Sequence, residues 1–359
     1  MKITFVIPNL NLTGGIKVVG IYSKYLAERG HEVNILYASP KKIEFKQWVK
    51  RLFSLAKTST NNPDCPYFEH GLAHLKEINF WKSFKYSEIP DADIVIATFW
   101  LTAEWVNKLP ETKGKKIYFL QHYEMHPWLP LERVKATFQF PFKRIAVSGW
   151  IKEKVEDNEH TLVDYVVLNG VDVNQFHAQP RGKNKKLRVG FMYSPREYKG
   201  CSIAINAINQ VKHVVPDLEV ITFAPEESSD AFLNEEFVKF IVNPPQNEIR
   251  HIYSQCDVWL FSSTCEGFGL PILEAMACRT PVIATPAGAA PLLVNNENGI
   301  LLNSYHSEDL AKAIIHIHSL SNDKWAELSN NSYKKAQLFS WDKSGKAFED
   351  ALLACIDTN

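Results

Sequence analysis

Short β-branched apolar runs alternate with amphipathic segments along this chain. In the first half, strands are predicted over 3–7 (ITFVI), 32–38 (EVNILYA), 93–99 (DIVIATF), 116–121 (KIYFLQ), 144–148 (RIAVS) and 164–168 (DYVVL). Between the first two, Val19, Tyr22 and Leu26 share one face of a helix predicted over 16–29, with Gly30 as its stop. The alternation then starts afresh. Strands are predicted over 187–193, 219–224, 240–242, 258–262, 281–285 and 299–302, and helices over 202–214, 247–255, 271–279 and 307–319, the last with Ser307 as N-cap. Two further helices are predicted over 323–338 and 342–355.

Strand–helix alternation repeated in this way is the signature of βαβ units and parallel sheets. The polar stretch 177–186 (HAQPRGKNKK) reads as a linker between the two series. The expected fold class is therefore α/β, two Rossmann-like domains facing across a cleft, with a C-terminal helix crossing back to the N-terminal domain. The expected domains are 1–170, 171–338 and the helical segment 339–359.

Composition narrows the function classes. At 359 residues, with 45% hydrophobic and 22% charged residues, the chain has the makeup of a folded globular protein. Forty basic residues balance forty acidic ones, which argues against a nucleic-acid binder. No apolar run reaches the roughly 18 residues of a membrane span. The first residues read as a strand, not a secretory signal. Six cysteines without a CxxC pair suggest neither a disulfide scaffold nor a zinc ribbon, so the reading is a reduced, cytoplasmic protein. The balance hides one concentration of charge: residues 41–57 carry six Lys/Arg against one Glu, with Phe45, Trp48, Val49, Leu52 and Leu55 at helical spacing. Two readings stay open for it. One is an interfacial helix making peripheral contact with anionic lipid at the inner face of a membrane; the other is a surface helix packed on its own domain.

The strongest chemistry lies in 262–277 (SSTCEGFGLPILEAMA). A strand ends, a Gly-rich turn follows, and Pro271 suits the first turn of a helix. Backbone N–H groups near Gly269 and Leu270 then form a site for phosphate. Glu266 and Glu274 flank that site. Two carboxylates are poor partners for phosphate but good acceptors for sugar hydroxyls.

Glu266, seven residues and Glu274, set in EGFGLPILEAMA, resembles the donor signature of the retaining glycosyltransferases of family 4, which have the GT-B architecture. Gly14-Gly15, GHEV (30–33), AVSGWIKEKV (146–155), NGVD (169–172), Lys199-Gly200 and TPVIAT (280–285) look like further landmarks in the family's order. The resemblance implies that Glu274 binds ribose hydroxyls, Glu266 the transferred hexose and Lys199 the diphosphate, with Gly267, Phe268, Gly269 and Leu270 lining the donor site. In the family an Arg usually precedes this Lys by five positions; Ser194 stands there, and Arg196 lies three before. Arg279 replaces the Gly usual before TPV, and Lys17 an acid often found after the Gly pair.

Gly14-Gly15 opens the first helix and lets backbone approach a ligand, but the full GxGxxG spacing of a nicotinamide site is absent. His122, after strand KIYFLQ, resembles the family's residue near the donor hexose and sits where parallel sheets bind ligands. His122 and His126 are four apart, yet the order is not HExxH and Pro127 opposes a helix, so no metal site is read here. Asp91-Ala-Asp93 has the spelling of a metal-holding Asp-x-Asp, but it precedes a strand of the first series and reads as turn chemistry.

The resulting expectation is a retaining hexosyltransferase with no cofactor or metal. It would use a nucleotide-sugar donor, best guess UDP-glucose, and a saccharide or lipid-linked saccharide acceptor in polysaccharide synthesis. A nucleotide-sugar epimerase of the same architecture and a non-catalytic nucleotide-sugar-binding protein are the alternatives.

Overall fold

The structure, a computed structural model, describes residues 1–11, 13–38, 65, 67–68, 72–80 and 85–357. The basic stretch 41–57 lies outside the described residues. The chain divides into two units: Met1–Val147 with Lys152–Val167 and Gly345–Asn359, and Ser148–Ile151 with Leu168–Ser344.

Among the described residues, the first unit holds strands β1 (Lys2–Ile7), β2 (Glu32–Ala38), β3 (His74–Ile78), β4 (Ile94–Ala97), β5 (Lys115–Leu120), β6 (Lys143–Ala146) and β7 (Tyr165–Val166) in spatial order β3-β2-β1-β4-β5-β6-β7. Every pairing is parallel. β1, β4 and β5 sit in the middle and are covered on both faces, which is why they read as continuous apolar runs instead of alternating ones. β3 is the exception. It sits at the edge with four of five residues exposed, so HLKEI has no apolar pattern and sequence reading misses it.

The C-terminal helix Trp341–Asp357 contributes Phe348 to this unit's core. Its ring stacks on Tyr22 at 4.4 Å and lies 5.0 Å from Phe119. Glu349, one residue on, is buried, pairs ionically with Arg29 (2.6 Å) and is hydrogen-bonded to His31 (2.8 Å). Apolar stacking and a charge-assisted clamp together hold this segment on the first unit.

The second unit repeats the plan with β8 (Arg188–Met192), β9 (Glu219–Ala224), β10 (Val238–Val242), β11 (Val258–Phe261), β12 (Val282–Ala284) and β13 (Gly299–Leu301), ordered β10-β9-β8-β11-β12-β13 and all parallel. Its core packs helices Cys201–Val214 and Ser307–Ser319 on the sheet through Ala204, Ile208, Val211, Leu310 and Ile314. The latter helix begins at Ser307, and its N-cap is His306, not Ser307 as expected. The polar stretch 177–186 lacks regular secondary structure, but it is tied into the second unit. Arg181 donates to the Cys256 carbonyl and lies over the Trp325 ring, and Asn184 donates to the buried Asp257. Its hydrophilicity reflects these bonds as much as solvent. No helix among the described residues is long and apolar enough to cross a membrane.

Arg279 stands where the family that the sequence resembles usually has Gly. It follows the helix Leu270–Ala277 and its C-cap Cys278 with φ +60, the left-handed position that glycine takes most cheaply. The conformational cost, about 1–2 kcal/mol, is met by contacts glycine lacks: the guanidinium lies 4.1 Å over the Tyr333 ring and its Nε donates to the Ala178 carbonyl at 2.9 Å.

Candidate functional site

The second sheet reverses its order between β8 and β11, so the segments leaving these neighbouring strands diverge around a crevice at their carboxyl ends. The loop after β8 carries the short 3₁₀ turn Glu197–Lys199; the loop after β11 carries Ser262 to Gly269. Thr264 N–H donates to the Tyr198 carbonyl at 2.8 Å, and the Ser262 hydroxyl to the Lys199 carbonyl at 3.3 Å, stitching the two loops together. Gly200 is required by this closeness. Its φ is +61, and a Cβ would stand 1.9 Å from the Ser262 carbonyl oxygen. Gly269, φ +92, turns the second loop into the helix Leu270–Ala277, with Pro271 in its first turn as the sequence suggests. From behind, Thr285 donates to the Ser263 carbonyl at 2.6 Å and Ala289 N–H to the Phe268 carbonyl at 2.8 Å. The loop is thus a fixed scaffold.

On this scaffold Lys199 and Glu266, 67 positions apart in sequence, form a two-pronged ion pair: Nζ lies 2.9 Å from Oε1 and 2.7 Å from Oε2. Their side chains are only 20% and 13% exposed, so the pair is stronger than a surface one. Burial alone would lower the Lys199 pKa; Glu266 outweighs it and holds the ammonium above its ordinary range. Lys199 is therefore a fixed cation. The pair borders a small cavity that Met192, Ser262, Ser263 and Pro271 also line. Glu274, one turn into the helix, accepts a hydrogen bond from the Tyr253 hydroxyl at 2.9 Å.

The second unit thus gathers Lys199, Glu266, Gly267, Phe268, Gly269, Leu270 and Glu274 on the loop and helix after β11 and the turn after β8. Arg196 is placed differently: it is exposed, and its guanidinium meets the Tyr198 hydroxyl at 3.4 Å. Tyr253 escapes sequence reading, because a tyrosine in an amphipathic helix carries no signal beyond burial.

In the first unit, Gly14-Gly15 begins the helix Gly14–Glu28, and a Cβ on Gly15 would lie 3.6 Å from the Gln121 amide oxygen. The Gly pair and the loop after β5 are therefore neighbours. On that loop the His122 and His126 rings lie 4.9 Å apart, and His126 stacks on Trp128 at 4.4 Å. Asp91 and Asp93 have roles in the fold: Asp91 accepts from Lys113 at 2.7 Å, and Asp93 from the Lys2 backbone N–H at 2.7 Å.

The same loop holds Glu124, which sequence analysis did not single out. Its buried carboxyl accepts from the Trp100 backbone N–H at 2.7 Å and from the Tyr118 hydroxyl at 3.3 Å. Burial, only partly offset by those two bonds, pushes its pKa from 4.5 up to about 8. The folded protein therefore retains a proton that the unfolded chain releases above about 4.5, and stability falls as pH rises from there towards 8. Glu124→Gln is expected to flatten that fall by roughly a few kcal/mol. Melting temperatures of both proteins at pH 5 and pH 8 check this; parallel pH profiles would contradict it.

Residues 172–336 match the family model described as Glycosyl transferases group 1. A D-inositol 3-phosphate glycosyltransferase of Saccharomonospora viridis is 37% identical over 110 residues, covering 30% of this chain and 25% of that protein. One from Corynebacterium kroppenstedtii is 26% identical over 220 residues, covering 54% and 48%. The chain thus spans at most about half the length of these curated relatives. Among solved structures, Anabaena Alr3699/HepE in complex with UDP-glucose superimposes with a TM-score of 0.73 at 20% identity, over 99% of this chain and all of that one. Together with the two parallel sheets, that likeness decides the architecture. The chain has the GT-B fold. The family match falls on the second unit and contains every residue of the Lys199–Glu266–Glu274 site.

Proposed function

We propose that this protein is a retaining, metal-independent glycosyltransferase that moves a hexose from a nucleotide sugar, UDP-glucose first among candidates, to a hydroxyl of a saccharide or lipid-linked saccharide. The observation that carries the reading is the partly buried Lys199–Glu266 pair, held by stitched loops beside the helix bearing Glu274. Such a set offers a cation for a diphosphate and carboxylates for ribose and hexose hydroxyls. The group 1 match of residues 172–336 supports the activity, and the UDP-glucose complex of Anabaena Alr3699/HepE supports the donor.

Donor binding exchanges partners. Lys199 turns from Glu266 to the diphosphate, and Glu266 is released to accept from the hexose. As the anomeric C–O bond breaks, negative charge grows on the leaving diphosphate, where Lys199 and the backbone N–H groups near Gly269 and Leu270 stabilise it. The acceptor oxygen attacks from the same face and passes its proton to the departing phosphate oxygen, so the anomeric configuration is kept. No protein nucleophile is required, and the side chains act by orientation and charge.

Saturating UDP-glucose should raise the melting temperature, and the rise should survive EDTA. Proton NMR of the transferred hexose should show the α configuration of the donor. No shift with any of a panel of UDP- and GDP-sugars would sink the donor reading; a β product would sink retention.

A further inference from the structure

Tyr253, on the helix Ile249–Gln255, is completely buried. Its ring is boxed by Trp259 (4.5 Å, edge-on), Phe176 (6.1 Å) and Phe223 (6.2 Å), and its carbonyl accepts from the buried Thr280 hydroxyl at 2.7 Å. The ring therefore cannot swing, and its hydroxyl points at one place, Oε2 of Glu274, 2.9 Å away. Glu274 itself is half-buried, one turn into the helix Leu270–Ala277.

We infer that Tyr253 is a positioning residue for nucleotide binding: its hydroxyl fixes the plane of the Glu274 carboxylate so that the remaining lone pairs face the ribose hydroxyls. This rests on the nucleotide-sugar reading of Glu274. A glutamate carboxylate has three side-chain torsions, and one without a fixed partner must be ordered when ligand arrives, which costs affinity. A carboxylate has about four lone-pair sites, and the hydrogen bond from Tyr253 takes up one of them. The phenol keeps its proton across the working range, because burial and then the Glu274 charge hold its pKa well above the ordinary 10. Tyr253 thus stays a donor throughout the test.

A merely structural tyrosine would affect stability alone. The two roles separate by calorimetry with UDP, GDP and their 2′,3′-dideoxy counterparts, titrated into the wild type, Tyr253→Phe, Glu274→Ala and the double variant. Tyr253→Phe keeps the ring in its box and removes only the hydroxyl. It should weaken binding of the ribose nucleotide about three- to tenfold, leave the dideoxy nucleotide unchanged, and add nothing once Glu274 is Ala. Equal weakening of both nucleotides by Tyr253→Phe, or no weakening, while Glu274→Ala weakens the ribose nucleotide and spares the dideoxy one, would overturn the positioning role and leave the nucleotide reading standing. Failure of the wild type to bind either nucleotide, or a Glu274→Ala substitution that weakens the ribose and dideoxy nucleotides equally or weakens neither, would overturn both.

Discussion

Lys199→Ala is expected to slow hexose transfer about thirty- to a thousandfold, a rise of some 2–4 kcal/mol in the barrier. The diphosphate gains charge as the glycosidic bond breaks, and in the proposed mechanism Lys199 is the full cation that meets it. Partial burial raises its effect, because fewer waters screen it. The substitution has a second consequence. It leaves Glu266, 13% exposed, without this partner, so the variant should also melt earlier. The two effects separate in the Lys199→Ala, Glu266→Gln double variant, which should regain melting temperature without regaining turnover. Glu266→Gln alone should turn over slowly yet bind UDP at least as well as the wild type, since the competitor for Lys199 has lost its charge. Near-normal turnover by Lys199→Ala would remove this residue from the chemistry.

Much of this architecture was legible because the central strands of a parallel sheet are buried on both faces and declare themselves as unbroken apolar runs, as in β1, β5 and β11. The edge strand β3 was not, because its side chains face solvent and carry Lys, Glu and His. The Ser307 cap failed by one position. A serine before Glu and Asp invites the N-cap reading, but Ser307 is itself helical and its hydroxyl accepts from Gln210.

At the site, Glu266, Gly269, Pro271 and Glu274 were legible because one contiguous strand–loop–helix passage carries them all. That Lys199 meets Glu266 was not, since it depends on β8 and β11 being neighbours, a fact of sheet order that no local pattern encodes. Arg196 shows the same limit from the other side. Three positions from Lys199 in sequence, it points away along the exposed face of the turn towards Tyr198. Buried polar partners were the least legible class. Tyr253 and Glu124 act through bonds to residues 21 and 24 positions away, and nothing in their own neighbourhoods marks them.

The second large effect is on affinity. Glu274→Ala removes the carboxylate assigned to the ribose hydroxyls, and charge-assisted hydrogen bonds contribute roughly 1.5–3 kcal/mol each. In the proposed site the diphosphate meets Lys199 and the backbone N–H groups near Gly269 and Leu270, none of which Glu274→Ala removes. The change should therefore appear in affinity and depend on the ribose hydroxyls. Calorimetric titration of UDP into the wild type and Glu274→Ala puts the central claim, a nucleotide-sugar site in the second unit, to its most direct test. The account predicts saturable binding to the wild type and a loss of tenfold or more in the variant. Equal affinity in the two proteins would contradict it.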